Sequence, residues 1–402
     1  MRACFVPLAV TFLITGLTHG QGPNAPANRP VWFASQGGQV AVYNAATMVE
    51  IAAGSANPTS AGAWAMDPNS QTNGFNTIVQ VDNGRTTPPV ILPSFMRYAV
   101  PLSPWPAAVQ TVLGPGSSMV ASQAAPLSII ISKQGELVSL EQYMGTTHLV
   151  RYTPSAAGWA LAQFVSLGLP LTIGYVTVDY TTPPQGPRYW VVGYTPQFPQ
   201  TFGLWSWVPS TGTLSFLGLS PTSLLPTEVP SWITTERPTT MCPQGLVHIS
   251  TWFTNLDGYY LRTFDPATVT WPFIGGSVGG GQIWPATNAS TGNGVWAVQI
   301  ATGLGVPPPS RLVFTDVVTT CGSMARLASA PLGALQMDLD PVVGVSTMVL
   351  TFNGSMNPTY EQWSEPACPG VPVLLTPIRP AATAPFNLRG VGWNYPEYIQ
   401  TS

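Results

Sequence analysis

Apolar and polar positions alternate along this chain in short stretches, each closed by a turn-forming cluster. The stretch "LRTFDPATVTWPFIGG", residues 261–276, shows the unit: an apolar strand, a turn at Asp265, Pro266 and Ala267, and a second strand containing Trp271. Alternation with period two places successive side chains on opposite faces of a strand, so the unit reads as a β-hairpin. Related hairpins are "AVYNAATMVEI" from Ala41, "MRYAVPLSPWPAAVQTVLG" from Met96, "LVRYTPSAAGWALAQFVSLG" from Leu149, "LWSWVPSTGTLSFLG" from Leu204 and "LVFTDVVTTCGSMARLA" from Leu312. A weaker copy, "EQWSEPACPGVPVLL", begins at Glu361. Each has an aromatic near the end of its first strand: Tyr43, Tyr98, Tyr152, Trp207, Phe264, Phe314 and Trp363, at successive gaps of 55, 54, 55, 57, 50 and 49 residues. In most copies a proline follows (Pro101, Pro154, Pro209, Pro266, Pro366), which ends the strand and pre-sets the turn.

Two more strand-like runs precede the later hairpins, for example "SWITTE" and "LVHISTWF" before Phe264, and "IGYVTVDY" and "RYWVVGY" before Trp207. Four short strands per repeat are the pattern of a propeller blade, a sheet that buries its two apolar faces by packing against neighbouring blades. The expected fold is all-β: a single β-propeller over residues 31–396, most simply with seven four-stranded blades. Six blades follow if the weak repeat at Trp363 is a loop, and a tandem of β-sandwiches is the competing architecture. The first blade has room for only three strands, and the C-terminal "LRGVGWNYP" supplies its missing inner strand in this reading, closing the ring with both termini. Residues 21–30 form a short leading segment and 397–402 a tail. No amphipathic helix is expected outside the N-terminal leader.

"TFDPATVTW", Thr263 to Trp271, resembles the turn between the third and fourth strands of kelch-type propellers, and "VWFASQGGQVAVYN" resembles their second strand, glycine pair (Gly37, Gly38) and third strand. The chain is thus similar to a divergent kelch propeller, with motif quality in the first, fourth and fifth blades. Some secreted kelch-like propellers are copper oxidases with Tyr, Cys and His ligands; no such set can be carried onto this chain.

Composition narrows the setting. Of 402 residues only 7% are charged, where about 25% is usual. The 43 prolines and 39 glycines accompany 14 Trp, 13 Tyr and 15 Phe, so the chain is turn-rich and core-forming rather than disordered. A net charge of -3 and a single lysine, Lys133, leave no basic footprint for nucleic acid or anionic membrane. Arg2, the apolar "FVPLAVTFLITGL" and the small residues Thr18 and Gly20 make residues 1–20 a secretory signal cleaved before Gln21, too short to span a bilayer comfortably. The mature protein is expected outside the cell, soluble and monomeric. Sequons at Asn288 and Asn353 fit that compartment, whereas Asn57 and Asn357 are followed by proline. Without Cys4, the cysteines are Cys242, Cys321 and Cys368, enough for one disulfide. Cys321 and Cys368 both follow the third strand of consecutive blades and are the favoured pair, with Cys242–Cys321 open as an alternative.

Candidate chemistry is sparse. His148 and His248 each sit in a strand-like run and read as strand-face or core residues rather than metal ligands. Gly275-Gly276-Ser277-Val278-Gly279 matches a nucleophile-elbow pattern, but no helix follows it, so it reads as an inter-blade glycine loop. Polar residues recur where predicted inner strands end: Asp67, Asp179, Glu236, Asn288, Asp338 with Asp340, and Asn394. Converging on one channel mouth, they would form an oxygen-rich ring suited to Ca²⁺ or a sugar, the one ion for which the sequence offers a setting. The competing reading is local, since Asp and Asn before turns bond their own backbone. The functional expectation is a non-enzymatic propeller binding an extracellular glycan, protein or wall component at its loop face or channel mouth. The alternatives are a glycoside hydrolase or lyase using Asp67, Asp179, Glu236 or Asp340, and a purely structural extracellular protein.

Overall fold

The structure is a computed structural model. It describes the strands named below, with connecting residues 87–89, 126–132, 134–136, 144–145, 156, 167–172, 186–187, 209–212, 246 and 266–269, and side chains at positions between 65 and 271. The strands form seven sheets. The first is ordered Gly390–Trp393, Pro30–Ala34, Gln39–Asn44, Val49–Ser55, and the second Ala61–Thr72, Phe75–Asp82, Ser94–Ala99, Thr111–Ser118. The third contains Ile129–Ile131, Leu137–Tyr143, Thr146–Ser155 and Gly158–Ser166; the fourth contains Ile173–Asp179, Arg188–Thr195, Thr201–Val208 and Thr213–Leu219. The fifth contains Glu228–Thr235, Val247–Phe253, Gly258–Asp265 and Thr270–Ser277. The sixth runs Ile283–Thr287, Gly294–Ile300, Arg311–Asp316, Ala325–Pro331, Val373–Leu374, and the seventh Ala334–Leu339, Thr347–Thr351, Thr359–Trp363, Ala382–Thr383.

Strands follow one another as antiparallel neighbours, as hairpin connections require. Both ends of the chain share the first sheet, where Val31 lies opposite Trp393 and Ala34 opposite Gly390. The expected contribution of the C-terminal segment is therefore present. First strands of successive sheets touch from Ala61–Thr72 onward, and Ala334–Leu339 touches Gly390–Trp393. These strands contain or directly precede the seven inner-strand candidates.

The weak seventh repeat departs from expectation. Its "PVLL" segment was expected to complete its own hairpin. Instead Val373–Leu374 adds in parallel to the outer edge of the sixth sheet, with Val373 opposite Ala328, and a two-residue strand at Ala382–Thr383 closes the seventh. An outer edge offers unpaired backbone groups, and the chain's own segment satisfies some of them here. The Gly275–Ser277 glycine stretch also differs from its loop reading, because it pairs within the fifth sheet, Gly275 with Leu261 and Ser277 with Tyr259.

Alternation explains the packing. In Ile129–Ile130–Ile131, Ile129 and Ile131 pack with Ala65, Val79, Val81 and Phe95 of the second sheet. Ile130 points the other way, into Val176, Tyr189, Val191, Trp205 and Trp207 of the fourth. Trp190, Val192 and Leu204 then join the fourth sheet to Ile233, Val247, Ile249 and Phe264 of the fifth. Both faces of each central sheet are thus covered, which is why Ile129–Ile131 is buried at every position and Arg188–Thr195 at every position but the first. Phe95 meets Tyr152 edge-on at 5.3 Å, and Trp190 meets Phe264 at 6.0 Å; such pairs add about 0.5–1.5 kcal/mol each beyond area burial. Close packing also requires glycine at position 193, where a Cβ would stand 2.3 Å from Leu171 Cδ1.

The repeated aromatic lies at a register irregularity in five sheets, and in the fourth the irregularity precedes Trp207 by two residues. The register between third and fourth strands shifts at Val42/Tyr43, Met96/Tyr98, Arg151/Tyr152, Gly203/Trp205, Thr263/Asp265 and Phe314/Thr315. An extra residue at such a point increases the local twist, turning the outer strand away from its neighbour.

Candidate functional site

Asp67 and Asp179 are the inner-strand candidates whose side chains are described. Asp67 is the last residue before a register shift to Gln71. It is buried, and its Oδ2 accepts a hydrogen bond of 2.9 Å from Arg97 Nη2. The Arg97 guanidinium lies 4.2 Å from the centroid of the Trp159 ring, whose Nε1 donates to the Gly135 carbonyl at 2.9 Å. One polar chain thus ties the second sheet to the third, and the Asp67 carboxylate belongs to it. Asp179 ends its strand opposite Arg188, is buried and is engaged with its surroundings. Glu236, Asn288, Asp340 and Asn394 lie outside the described residues, as do Asn353, Cys242, Cys321, Cys368 and the leader 1–20; Asp338 lies in a strand whose side chains are not described. Among the described residues no group of three or more His, Cys, Asp or Glu side chains is placed to hold a metal ion.

A second polar seam joins the third sheet to the fourth. Arg151 donates through Nη2 to Glu136 Oε1, and through Nη1 to Gln163 Oε1 at 3.0 Å; Gln163 Nε2 in turn donates to the Pro209 carbonyl at 3.0 Å. The bond to Glu136 holds the Arg151 pKa above its ordinary value. Burial pushes the Tyr189 phenol up.

Glu141 sits on the second-sheet side of the third sheet, on the same face as Leu137 and Ser139 and opposite His148 in register. It is 1% exposed. Its Oε1 accepts from Ser139 Oγ at 2.5 Å and from Tyr152 Oη at 2.7 Å, while Oε2 is buried without a partner. Burial raises its pKa, opposed by those two hydrogen bonds. The signal in the sequence was a lone acid at an inward position of "LVSLEQY", and sequence reasoning missed it.

Next to Glu141, at the end of that strand, Tyr143, His148 and Phe164 form a three-ring cluster. The His148 and Phe164 rings stack at 4.1 Å and 18°, and Tyr143 stands edge-on to both, at 5.9 and 5.5 Å. His148 Nδ1 lies 3.2 Å from the Thr146 carbonyl, so Nδ1 carries the proton and Nε2 is left as an acceptor. Burial lowers the His148 pKa, keeping the ring neutral at pH 7. Beside it, Met144 is 84% exposed and Phe164 38% exposed. His248, by contrast, is fully buried with Nδ1 3.0 Å from Thr263 Oγ1, a core histidine as expected. Asp265 is the turn former its motif suggested, accepting from Ala267 N and Thr268 Oγ1, each at 2.8 Å. Trp205 and Trp207 are core residues.

No family model and no curated protein matches the chain. Solved structures do. A proposed 6-phosphogluconolactonase from Bacteroides uniformis superposes with a TM-score of 0.56 at 10% identity, covering 91% of this chain and 99% of that one. A protein from Lactobacillus plantarum gives 0.55 at 14% identity, with 91% and 99% covered. The periplasmic gluconolactonase PpgL of Pseudomonas aeruginosa gives 0.52 at 12% identity, again with 91% and 99% covered. At such identities the likeness speaks to architecture alone, and with the seven sheets, six of four strands and one of five, it makes this chain a β-propeller.

Proposed function

We propose that this protein is a secreted, monomeric, non-enzymatic β-propeller of divergent kelch type that binds an extracellular glycan, protein or wall component. One observation carries the reading: the described carboxylates are engaged in holding the fold. Asp67 pairs with Arg97, Glu136 with Arg151, and Glu141 is sealed between sheets. Asp82 and Asp179 are buried and engaged, and Asp265 holds a turn. General acid–base chemistry needs a carboxyl within reach of substrate, and these are not so placed. The kelch-like part of the proposal is supported by the Thr263–Trp271 hairpin, where Phe264 and Trp271 pack at 5.1 Å across the Asp265 turn.

The competing reading is a hydrolase or lyase at the channel mouth, using Glu236 or Asp340. The test is to express the full chain in a secreting host and sequence its mature N-terminus. The purified protein is then incubated with insoluble cellulose, chitin, xylan and a cell-wall preparation. The proposal expects an N-terminus at Gln21, co-sedimentation with at least one of these materials, and no release of reducing ends or unsaturated products. Product release that is lost in Glu236→Gln or Asp340→Asn would overturn it.

A further inference from the structure

The turn from Leu137–Tyr143 to Thr146–Ser155 is a two-residue hairpin loop, with φ of 47° at Met144 and 76° at Gly145. Both values lie in the left-handed region, as expected of the tight turns that suit strand twist and favour Asn-Gly. Methionine at the first position is strained, because its Cβ crowds the backbone there, and Asn or Gly would fit more easily. Yet Met144 is 84% exposed, so no packing within the fold repays that strain. A conformational outlier kept at an exposed tip points to a role outside the fold.

What surrounds the tip gives that role a chemistry. Phe164, on the outer strand of the same sheet, is backed by His148 on one ring face and is 38% exposed. Tyr143 stands perpendicular to that stack and forms the other wall of a corner. The Tyr143 hydroxyl has no hydrogen-bond partner among the described residues and offers a donor and acceptor at the edge of an apolar ring, while His148, 7% exposed, braces Phe164 from behind. Residues 142–150 carry no charged side chain, and the nearest acid, Glu141, is sealed in the core.

We propose that Tyr143, Met144, His148 and Phe164 form a subsite for a neutral glycan. The apolar face of a pyranose lies on the exposed Phe164 ring. Its hydroxyls meet the Tyr143 hydroxyl, Met144 covers its edge, and His148 supports the Phe164 ring from behind. The uncharged surroundings match a neutral sugar rather than a uronate or sulfated one. The inference rests on the binding function proposed above and names the ligand class and the place.

The experiment is calorimetric titration of the full mature protein with cellohexaose, chitohexaose, xylohexaose and maltohexaose, with polygalacturonate and heparin as charged controls. Wild type is expected to bind one of the neutral oligosaccharides. Phe164→Ala and Phe164→Leu, the latter keeping apolar bulk to protect folding, are each expected to weaken it at least about ten-fold. Met144→Asn is expected to raise Tm, since it relieves the turn, while weakening binding. Unchanged affinity in all three variants would overturn the site while leaving the binding function standing. Binding of the charged controls alone, or of none of the six, would overturn the ligand class. Cleavage of any sugar during titration would overturn the binding function itself.

Discussion

Glu141 is the sharpest test of the packing account. Its side chain is enclosed between the second and third sheets, and Oε2 has no partner. An orphaned buried polar atom costs about 1–3 kcal/mol, and a charge there costs more. The folded state therefore holds the proton to a higher pH than the unfolded chain, where a free glutamate titrates near about 4.3. Below the unfolded pKa both states are protonated and the contribution is fully present. As pH rises, the unfolded chain ionises first, and stability is lost at up to about 1.4 kcal/mol per pH unit until the folded group ionises too. Glu141→Gln keeps the shape and the acceptor facing Ser139 and Tyr152 but cannot ionise. Urea denaturation of both proteins from pH 4 to pH 8 should show the variant gaining on the wild type as pH rises, by about 1–3 kcal/mol at the upper end. A difference independent of pH would refute the raised pKa. A wild type that gains on the variant with rising pH would mean that the carboxylate is the stabilised form.

Other consequences can be measured the same way. Arg97→Ala breaks the pair with Asp67 and removes the cation over Trp159; because the Arg97 side chain is 23% exposed and screened, the expected loss is about 1–2 kcal/mol by denaturation, short of the full cost of a buried pair. Gly193→Ala should destabilise by about 1–3 kcal/mol through its clash with Leu171, and Leu171→Ala by about 2–5 kcal/mol through a cavity. The double variant should cost less than their sum, since the new methyl enters the space the leucine leaves; strict additivity in a double-mutant cycle would contradict the contact.

The repeat was readable because it is written in local chemistry. An aromatic, a turn residue and two alternating strands recur, and every blade must solve the same packing problem with the same kinds of side chain. Closure through "GVGW" was readable too, because the first sheet was visibly one strand short. The fate of Val373–Leu374 was not: an apolar segment of four residues suits either of two edges, and the choice depends on tertiary proximity. Asp67 shows the limit for the site. Its place at an inner strand followed from the sequence, but its partner lies 30 residues away in Arg97, two strands further out. The three-ring corner was likewise hidden, because Tyr143 and His148 meet Phe164 only through the register of three strands. Met144 had a local signal, a bulky residue before Gly145 in a two-residue turn, that propensity alone would have assigned to Asn.

The most direct test of the binding account is a crystal structure of the protein soaked with the neutral oligosaccharide that binds best in titration. The account predicts a sugar ring on the open face of Phe164, bounded by Tyr143 and Met144, with the Asp67–Arg97 pair intact. A sugar bound instead at the ends of the inner strands, in contact with Asp67 or Asp179, would contradict it.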